Sequence, residues 1–429
     1  MPPSRSFSVA GKPARLLFGA GVLAVVLYLN ILPNTFLFDD WQQIVENPFL
    51  RRPDGLGKIF TTGVWQFLGP VGVSNYYRPL MHAAFYGAFR LFGLNPAGYH
   101  AISILLHAAV TLLVYAVIAR LAREPLTAAV AALLFAAHPV HAEAVAWISA
   151  YPELLSALFS LLAAWLYLRA EEAAGGARLT LLLLTGPALL LALLSKELAI
   201  AVPLFLLCYE WLSGRGIPAC GDGSKAQRAK GGMPVPLSRV SAAWLAYVAM
   251  AAAAAIYLAL RLNALGALLP AVRTKPLAAA EHVWTAVAVF YRYLWVQAWP
   301  RRLHAFYYLP LNRSPLEAAV LAGLLLLAAT AALGWWLYRR RRPEVLALPL
   351  YLLPLAPAFS LPGASVGLMM AERYVYLASA GFCWLLASLL VAAGGRWGCR
   401  RAAALVALVL VAYSARTVAR NSDWRDEIA

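Results

Sequence analysis

The chain has 429 residues, of which 62% are apolar and 13% charged. Soluble domains run at about 45–50% apolar and about 25% charged, so this composition excludes a soluble enzyme with one anchor, a disordered chain and a disulfide scaffold. The 36 Lys and Arg against 19 Asp and Glu give +17. In a soluble protein that would suggest nucleic acid; in a polytopic chain it marks inner loops and contact with anionic lipid, and no nucleic-acid partner is expected.

In chain order, Pro2 to Arg15 carries Arg5, Lys12 and Arg15 and is read as an inner N-terminus. Leu16 to Pro33 is long enough to span and is read as an uncleaved first helix. Eleven spans are predicted, at 16–33, 99–119, 126–138, 151–168, 179–195, 198–212, 240–261, 316–338, 344–360, 374–393 and 402–417. The loops then assigned inside hold more than half of the 36 basic residues, with Arg339-Arg340-Arg341-Arg342 as the firmest anchor. Pro79 to Leu94 and His282 to Trp299 mix arginine with aromatics and are read as helices lying in the outer interface or re-entering it. The alternative for 281–299 is a twelfth span with another helix miscounted. A long outer loop covers 34–98, a second covers 262–315, and a Gly- and Lys-rich cytoplasmic linker covers 213–239. The four cysteines, Cys208, Cys220, Cys383 and Cys399, fall outside the outward loops, against a disulfide framework or a metal cluster.

Five motifs carry polar chemistry. Phe38-Asp39-Asp40-Trp41 sets two carboxylates at the mouth of the first span, a costly position. Such a carboxylate can act as a general base on a hydroxyl, steer a cation or bind a metal; the plain alternative is a helix cap. Adjacent side chains diverge, so one Asp is expected to be catalytic and the other structural or acceptor-binding. Tyr76-Tyr77-Arg78-Pro79 offers a guanidinium fork suited to phosphate, or an interfacial anchor. His138-Pro139-Val140-His141-Ala142-Glu143 could be half a metal site, but the proline breaks its helical geometry, and hydrogen bonds to sugar or phosphate are preferred. His100 and His107 read as polar groups at the edge of, and within, the second span. Ser195-Lys196-Glu197 is a self-neutralising pair or a lysine placed over a lipid phosphate. Ala371-Glu372-Arg373-Tyr374 opens a span with an acid and a base.

All five motifs fall on the outer side of this topology. Carboxylates with Arg and Lys at headgroup depth suit a substrate that is half lipid and half polar, such as a lipid-phosphate-linked sugar. The chain has neither a Walker loop nor a dinucleotide fingerprint, so an ATP-driven pump is unsupported.

The stretches FLFDDWQQIVENPFL, YYRPL, HPVHAEAVAWI, LLSKELAI, AERYVYLASAGFC and ARNSDWRDEIA run in order from residue 31 to the end. In them the chain resembles the GT-C superfamily of polytopic glycosyltransferases. More narrowly, it resembles the membrane half of the transmembrane and tetratricopeptide-repeat-containing O-mannosyltransferases and their bacterial relatives. The resemblance implies an all-α polytopic fold of GT-C type, a single transmembrane domain over 1–429, in a bacterial inner membrane or its equivalent. It implies transfer of a sugar, most typically mannose, from a polyprenyl-phosphate donor to a hydroxyl of a protein or glycan acceptor on the outer face, with inversion. It makes Asp39 or Asp40 the essential acid, with Asp39 slightly preferred as base. It makes Arg78, Lys196 and Arg373 the donor-phosphate contacts. His138, His141, Glu143, Glu197, Glu372 and Tyr77 would line the sugar and acceptor site. No cofactor or metal is expected.

The final motif leads into helical repeats in the family, whereas here the chain stops at Ala429. Either acceptor recognition comes from a separate repeat-containing partner, or the chain is a fragment or a shortened form; a glycan or lipid acceptor gains weight over a protein. Two readings from other classes stay open: a flippase for lipid-linked sugars, which the nearly pure Leu and Ala inner halves of the spans disfavour, and a non-catalytic scaffold.

Overall fold

The computed structural model describes residues 12–71, 75–214, 237–267, 278–305, 307–359 and 368–426. Cys220 and most of the 213–239 linker lie outside them.

Helices dominate, as the composition requires: in lipid each backbone N–H and C=O must find a partner inside its own segment. In chain order they are α1 (Lys12–Val26), α2 (Gly55–Thr61), α3 (Pro79–Phe92), α4 (Pro96–Ala122), α5 (Pro125–Ala137), α6 (Ala142–Ala146), α7 (Tyr151–Glu172), α8 (Gly175–Ser195), α9 (Ala201–Gly214), α10 (Leu237–Leu265), α11 (Ala279–Ala298), α12 (Ala318–Arg339), α13 (Ala347–Leu355), α14 (Ser379–Trp397) and α15 (Cys399–Asn421). Prolines at the first helical turn start α3, α4, α5 and α7, where the missing N–H costs nothing.

Each predicted span overlaps a helix over its described residues, though 16–33 and 344–360 do so only in part. Among the described residues eight helices are long and apolar enough to cross a membrane, and α5 with Pro139–Ala146 forms a pair bent by 51°. Arg15–Ile31 and Pro343–Phe359 are shorter apolar helices. The two segments set apart from the spans are α3 and α11. Helix α11 is fastened toward its start, where Thr285 Oγ1 accepts from the Asn312 N–H (2.9 Å), and past its end, where Arg416 Nε donates to the Pro300 carbonyl (3.3 Å). Asn312 sits just ahead of α12 and Arg416 near the end of α15, so both anchors belong to one end of the bundle.

Helix α7 is central, 72% buried over its apolar window, whereas α12 is only 11% buried and presents Leu321, Leu324, Leu325 and Leu327 outward. With lipid as apolar as leucine, close backbone approach has to hold the helices together. A Cβ on Gly186 of α8 would stand 2.6 Å from the Ala249 carbonyl of α10, and one on Gly323 of α12 2.3 Å from the Val287 carbonyl of α11. Larger residues at either position would force the pair apart.

The two ends of the bundle differ. The far end gathers Arg120 with Glu172 (3.4 Å), and a cavity there is lined by Arg123, Glu124, Arg342 and Glu344. The four-arginine run thus sits opposite the motif-bearing end. At that near end a small antiparallel ladder was not foreseen: β1 (Tyr307–Leu309) pairs with β2 (Leu368–Met370), Tyr308 facing Met369. It clasps the second long loop onto the segment that leads into Glu372 and Arg373.

Candidate functional site

After α1 the chain turns and passes through Phe38, whose backbone is left-handed (φ 46°), before a wide helical turn over Trp41–Val45. This separates the two carboxylates. Asp40 points inward and is 1% exposed. Its Oδ2 accepts from the Leu37 N–H (3.0 Å), and its Oδ1 accepts from the Ser149 N–H (2.7 Å) and the Ser149 hydroxyl. It occupies the cap position of the turn without making a cap bond; it staples the first loop to the segment before α7. Burial pushes its carboxyl up to about 7, against the pull of these hydrogen bonds.

Asp39 points the other way, into a cavity of about 130 Å³. Among the described residues its side chain makes no hydrogen bond. Burial raises its carboxyl above the usual range, and the positive charge of Arg373 opposes that rise. The cavity is also lined by Gln43, Trp65, Tyr76, Arg78, Trp147, Ser149, Glu153, Arg373 and Tyr374.

The cations around it are each matched to an acid from another part of the chain. Arg78 makes a two-point contact with Glu197, Nη2 to Oε1 at 2.8 Å and Nε to Oε2 at 3.2 Å, and its guanidinium lies 4.4 Å from the Tyr76 ring centre. Arg373 pairs with Glu143, whose Oε2 also accepts the Arg373 N–H (2.9 Å). Lys196 pairs with Glu153 and lies 4.7 Å from the Tyr374 ring centre. The lysine is 4% exposed at its side chain, and desolvation lowers its ammonium pKa despite the paired carboxylate.

Several residues assigned to the site from the sequence stand elsewhere. Lys196 lies behind Glu153 rather than on the cavity wall. Glu143 is fully buried beneath Arg373. His138 and His141 are fully buried in the packing: the His138 ring lies beside Tyr413, 4.7 Å between centres, and His141 Nε2 meets Ser379 Oγ at 2.7 Å. Neither lines the cavity. Tyr77 is buried with its hydroxyl donating to the Phe60 carbonyl (2.8 Å), while Tyr76 faces the cavity. Glu197 backs Arg78. Glu372 belongs to a separate cluster: its Oε1 accepts from the Tyr307 hydroxyl (2.5 Å) and the His304 N–H (2.8 Å), and Arg420 reaches both its oxygens at 3.4 Å. Burial pushes its carboxyl up to about 7, against the pull of Arg420.

Sequence reasoning missed Trp147, Ser149 and Glu153, which follow the His-Pro motif by a few residues. An acid in the first turn of a span, as Glu153 is, was a usable signal. Among the described residues no group of three or more His, Cys, Asp or Glu stands close enough to hold a metal.

Fold and composition together define a polytopic helical membrane protein. Solved structures of an oligosaccharyltransferase from Archaeoglobus fulgidus share this fold. One, AglB in complex with an inhibitory peptide and a dolichol-phosphate, matches at TM-score 0.55 and 14% identity, covering 98% of this chain and 56% of that one. Another, tethered to an acceptor peptide, matches at TM-score 0.53 and 14% identity, covering 96% of this chain and 55% of the other.

The sequence comparisons narrow the resemblance, in line with the motifs. A family described as dolichyl-phosphate-mannose-protein mannosyltransferase matches residues 77–217. Protein O-mannosyl-transferase TMTC3 of Mus musculus is 28% identical over 97% of this chain and 47% of its own length. Protein O-mannosyl-transferase Tmtc1 of Drosophila melanogaster is 34% identical over 48% of this chain and 24% of its own. The chain thus spans about half the length, or less, of these curated relatives.

Proposed function

We propose that the chain is the catalytic membrane unit of an inverting glycosyltransferase. It would move a hexose, mannose on the strength of its relatives, from a polyprenyl-phosphate donor to a hydroxyl of a protein or glycan acceptor, on the outer side of the membrane. The observation that carries this reading is Asp39: a carboxylate without a hydrogen-bond partner among the described residues, on the wall of a cavity that also holds two arginines.

An acceptor hydroxyl has a high pKa and needs a base as it attacks the anomeric carbon. Asp39 would take that proton while the sugar–phosphate bond breaks and the electron pair leaves on the phosphate oxygen. Phosphate is already a fair leaving group, so a second carboxylate acting as acid is unnecessary, in contrast to glycoside hydrolysis. Arg373 and Arg78 would stabilise the charge developing on the phosphate.

Their pairing with Glu143 and Glu197 does not forbid this. A guanidinium has five N–H donors in a fixed fork, and a carboxylate engages only part of them. The acids orient the arginines and leave donors for the ligand. Selection of a phosphate would then rest on directed hydrogen bonds more than on net charge. Lys196 would act at one remove, by fixing Glu153.

The test uses the purified chain in lipid nanodiscs with radiolabelled polyprenyl-phosphate-mannose and a mixed panel of peptide and glycan acceptors. Labelled product that disappears in Asp39→Asn supports the proposal. Absence of product with any lipid-phosphate hexose in the wild type overturns it.

A further inference from the structure

The residue before Asp39 carries an unusual burden. Phe38 holds a left-handed backbone (φ 46°), a conformation that residues with a Cβ seldom adopt. Asp39, the next residue, faces the cavity, so whatever holds Phe38 in this turn also bears on where Asp39 sits.

Two tryptophans meet its ring. The Phe38 ring lies edge-on to Trp147 and to Trp424, 6.4 Å between centres in each case, with interplanar angles of 89° and 84°. The two indoles stack on each other at 6.1 Å and 17°. Trp424 is 2% exposed, and neither indole N–H has a hydrogen-bond partner among the described residues. A buried, unpaired donor is a cost, so these residues contribute through their faces.

The same turn reaches the other wall of the cavity. The Arg373 guanidinium lies 5.0 Å from the Trp147 ring centre, and that of Arg420 lies 5.6 Å from Trp424. Arg420 also grips Glu372, the residue before Arg373. Contacts therefore run from Asp39 through Phe38, Trp424 and Trp147 to Arg373. Hydrogen bonds pin the end of α15 to the segment leading into Asp39. Asn34 Nδ2 donates to the Trp424 carbonyl (2.9 Å) and the Thr35 N–H to the Arg425 carbonyl (3.2 Å). Asn421 Nδ2 donates to the Leu27 carbonyl (2.9 Å) and to Asn30 Oδ1 (2.8 Å).

We infer that Trp424 is a positioning residue: through Phe38 and Trp147 it sets the placement of Asp39 relative to Arg373, and so of the base relative to the donor phosphate. This rests on the proposed role of Asp39. The C-terminal turn, about 390 residues away in sequence, is then part of the device that aims the reacting carboxylate.

The experiment compares Trp424→Ala and Trp424→Phe with the wild-type chain in nanodiscs, by hydrogen exchange and by transfer kinetics. In Trp424→Ala the backbone amides of residues 35–40 exchange faster while α4, α5 and α7 keep their protection. Its kcat falls on the order of 10²-fold, the loss expected for displacement of a reacting group by about 1 Å, with KM for the lipid-linked donor little changed. Trp424→Phe, which keeps a ring face against Phe38, recovers most of both.

Unchanged exchange at 35–40 with wild-type kcat overturns the inference. So does loss of protection throughout the chain that Phe fails to restore, because that marks Trp424 as a general packing residue. If the wild type transfers no sugar at all, the proposed function fails, while the exchange arm still decides whether Trp424 holds the Asp39 loop.

Discussion

Both ends of the helical bundle carry ion pairs, and they are built differently. At the end opposite the cavity the charges stay near solvent: Arg342 and Glu344 are 56% and 18% exposed at 3.8 Å, and Arg169 and Glu172 are 43% and 37% exposed. At the cavity end Arg78 and Glu197 are 17% and 37% exposed, but two further pairs are more deeply buried. Arg373 and Glu143 are 17% and 0% exposed, and Lys196 and Glu153 are 4% and 10%. Exposed pairs contribute little and tolerate movement. Buried pairs repay their desolvation only when geometry is good and the remaining lone pairs are met. The far end uses charge to lie at a polar surface; the cavity end uses it to fix side chains in space. The proposed transfer at the cavity end would use that fixed geometry.

The comparison can be broken by mutation. The largest stability effect is expected from Arg373→Met, which leaves Glu143 buried and unpaired at a cost of about 3–5 kcal/mol, seen as a lowered unfolding midpoint in detergent. Ser149→Ala removes one of three donors to Asp40 and should cost about 1 kcal/mol in the same assay. Glu172→Gln at the far end should cost no more than about 1 kcal/mol, and high salt should shrink that difference. If Glu172→Gln proves as damaging as Arg373→Met, the contrast between the ends fails.

Acidity sharpens the same contrast inside the site. Burial raises the Asp39 carboxyl, and a base works only when deprotonated. Transfer should therefore fall on the acid side at a pH above the ordinary carboxylate value of about 4. Arg373 opposes the rise, so weakening it, as in Arg373→Gln, should move the acid limb of kcat/KM to still higher pH. A limb that stays put, or moves down, would separate Asp39 from Arg373.

Much of this was legible in the sequence, at the level of motifs. The segments around Asp39, Arg78, Glu143, Lys196 and Arg373 were read as outer-loop motifs, and they meet at one end of the bundle. Within each doublet the sequence could not say which neighbour faces the cavity. Asp39 faces it and Asp40 does not; so too Tyr76 rather than Tyr77, and Arg373 rather than Glu372. Composition is blind to such a choice, which depends on the local backbone path and on distant partners: Asp40 is held inward by the Leu37 N–H and by Ser149, and its neighbour is left to the cavity. Long-range partners were equally hidden. Nothing local in Ser195-Lys196-Glu197 says that the lysine belongs to Glu153 and the glutamate to Arg78. The β1–β2 clasp was missed because two three-residue strands are too short to show an alternating pattern.

The account rests on the division of labour between two adjacent aspartates, and Asp39→Asn and Asp40→Asn in parallel measure it directly. The account predicts that Asp39→Asn melts like the wild type yet loses sugar transfer by at least about 10²-fold. Asp40→Asn should lose stability first, by breaking the staple to Leu37 and Ser149, and whatever folds should keep transferring. A folded Asp40→Asn without activity, beside an Asp39→Asn that transfers at the wild-type rate, would contradict it.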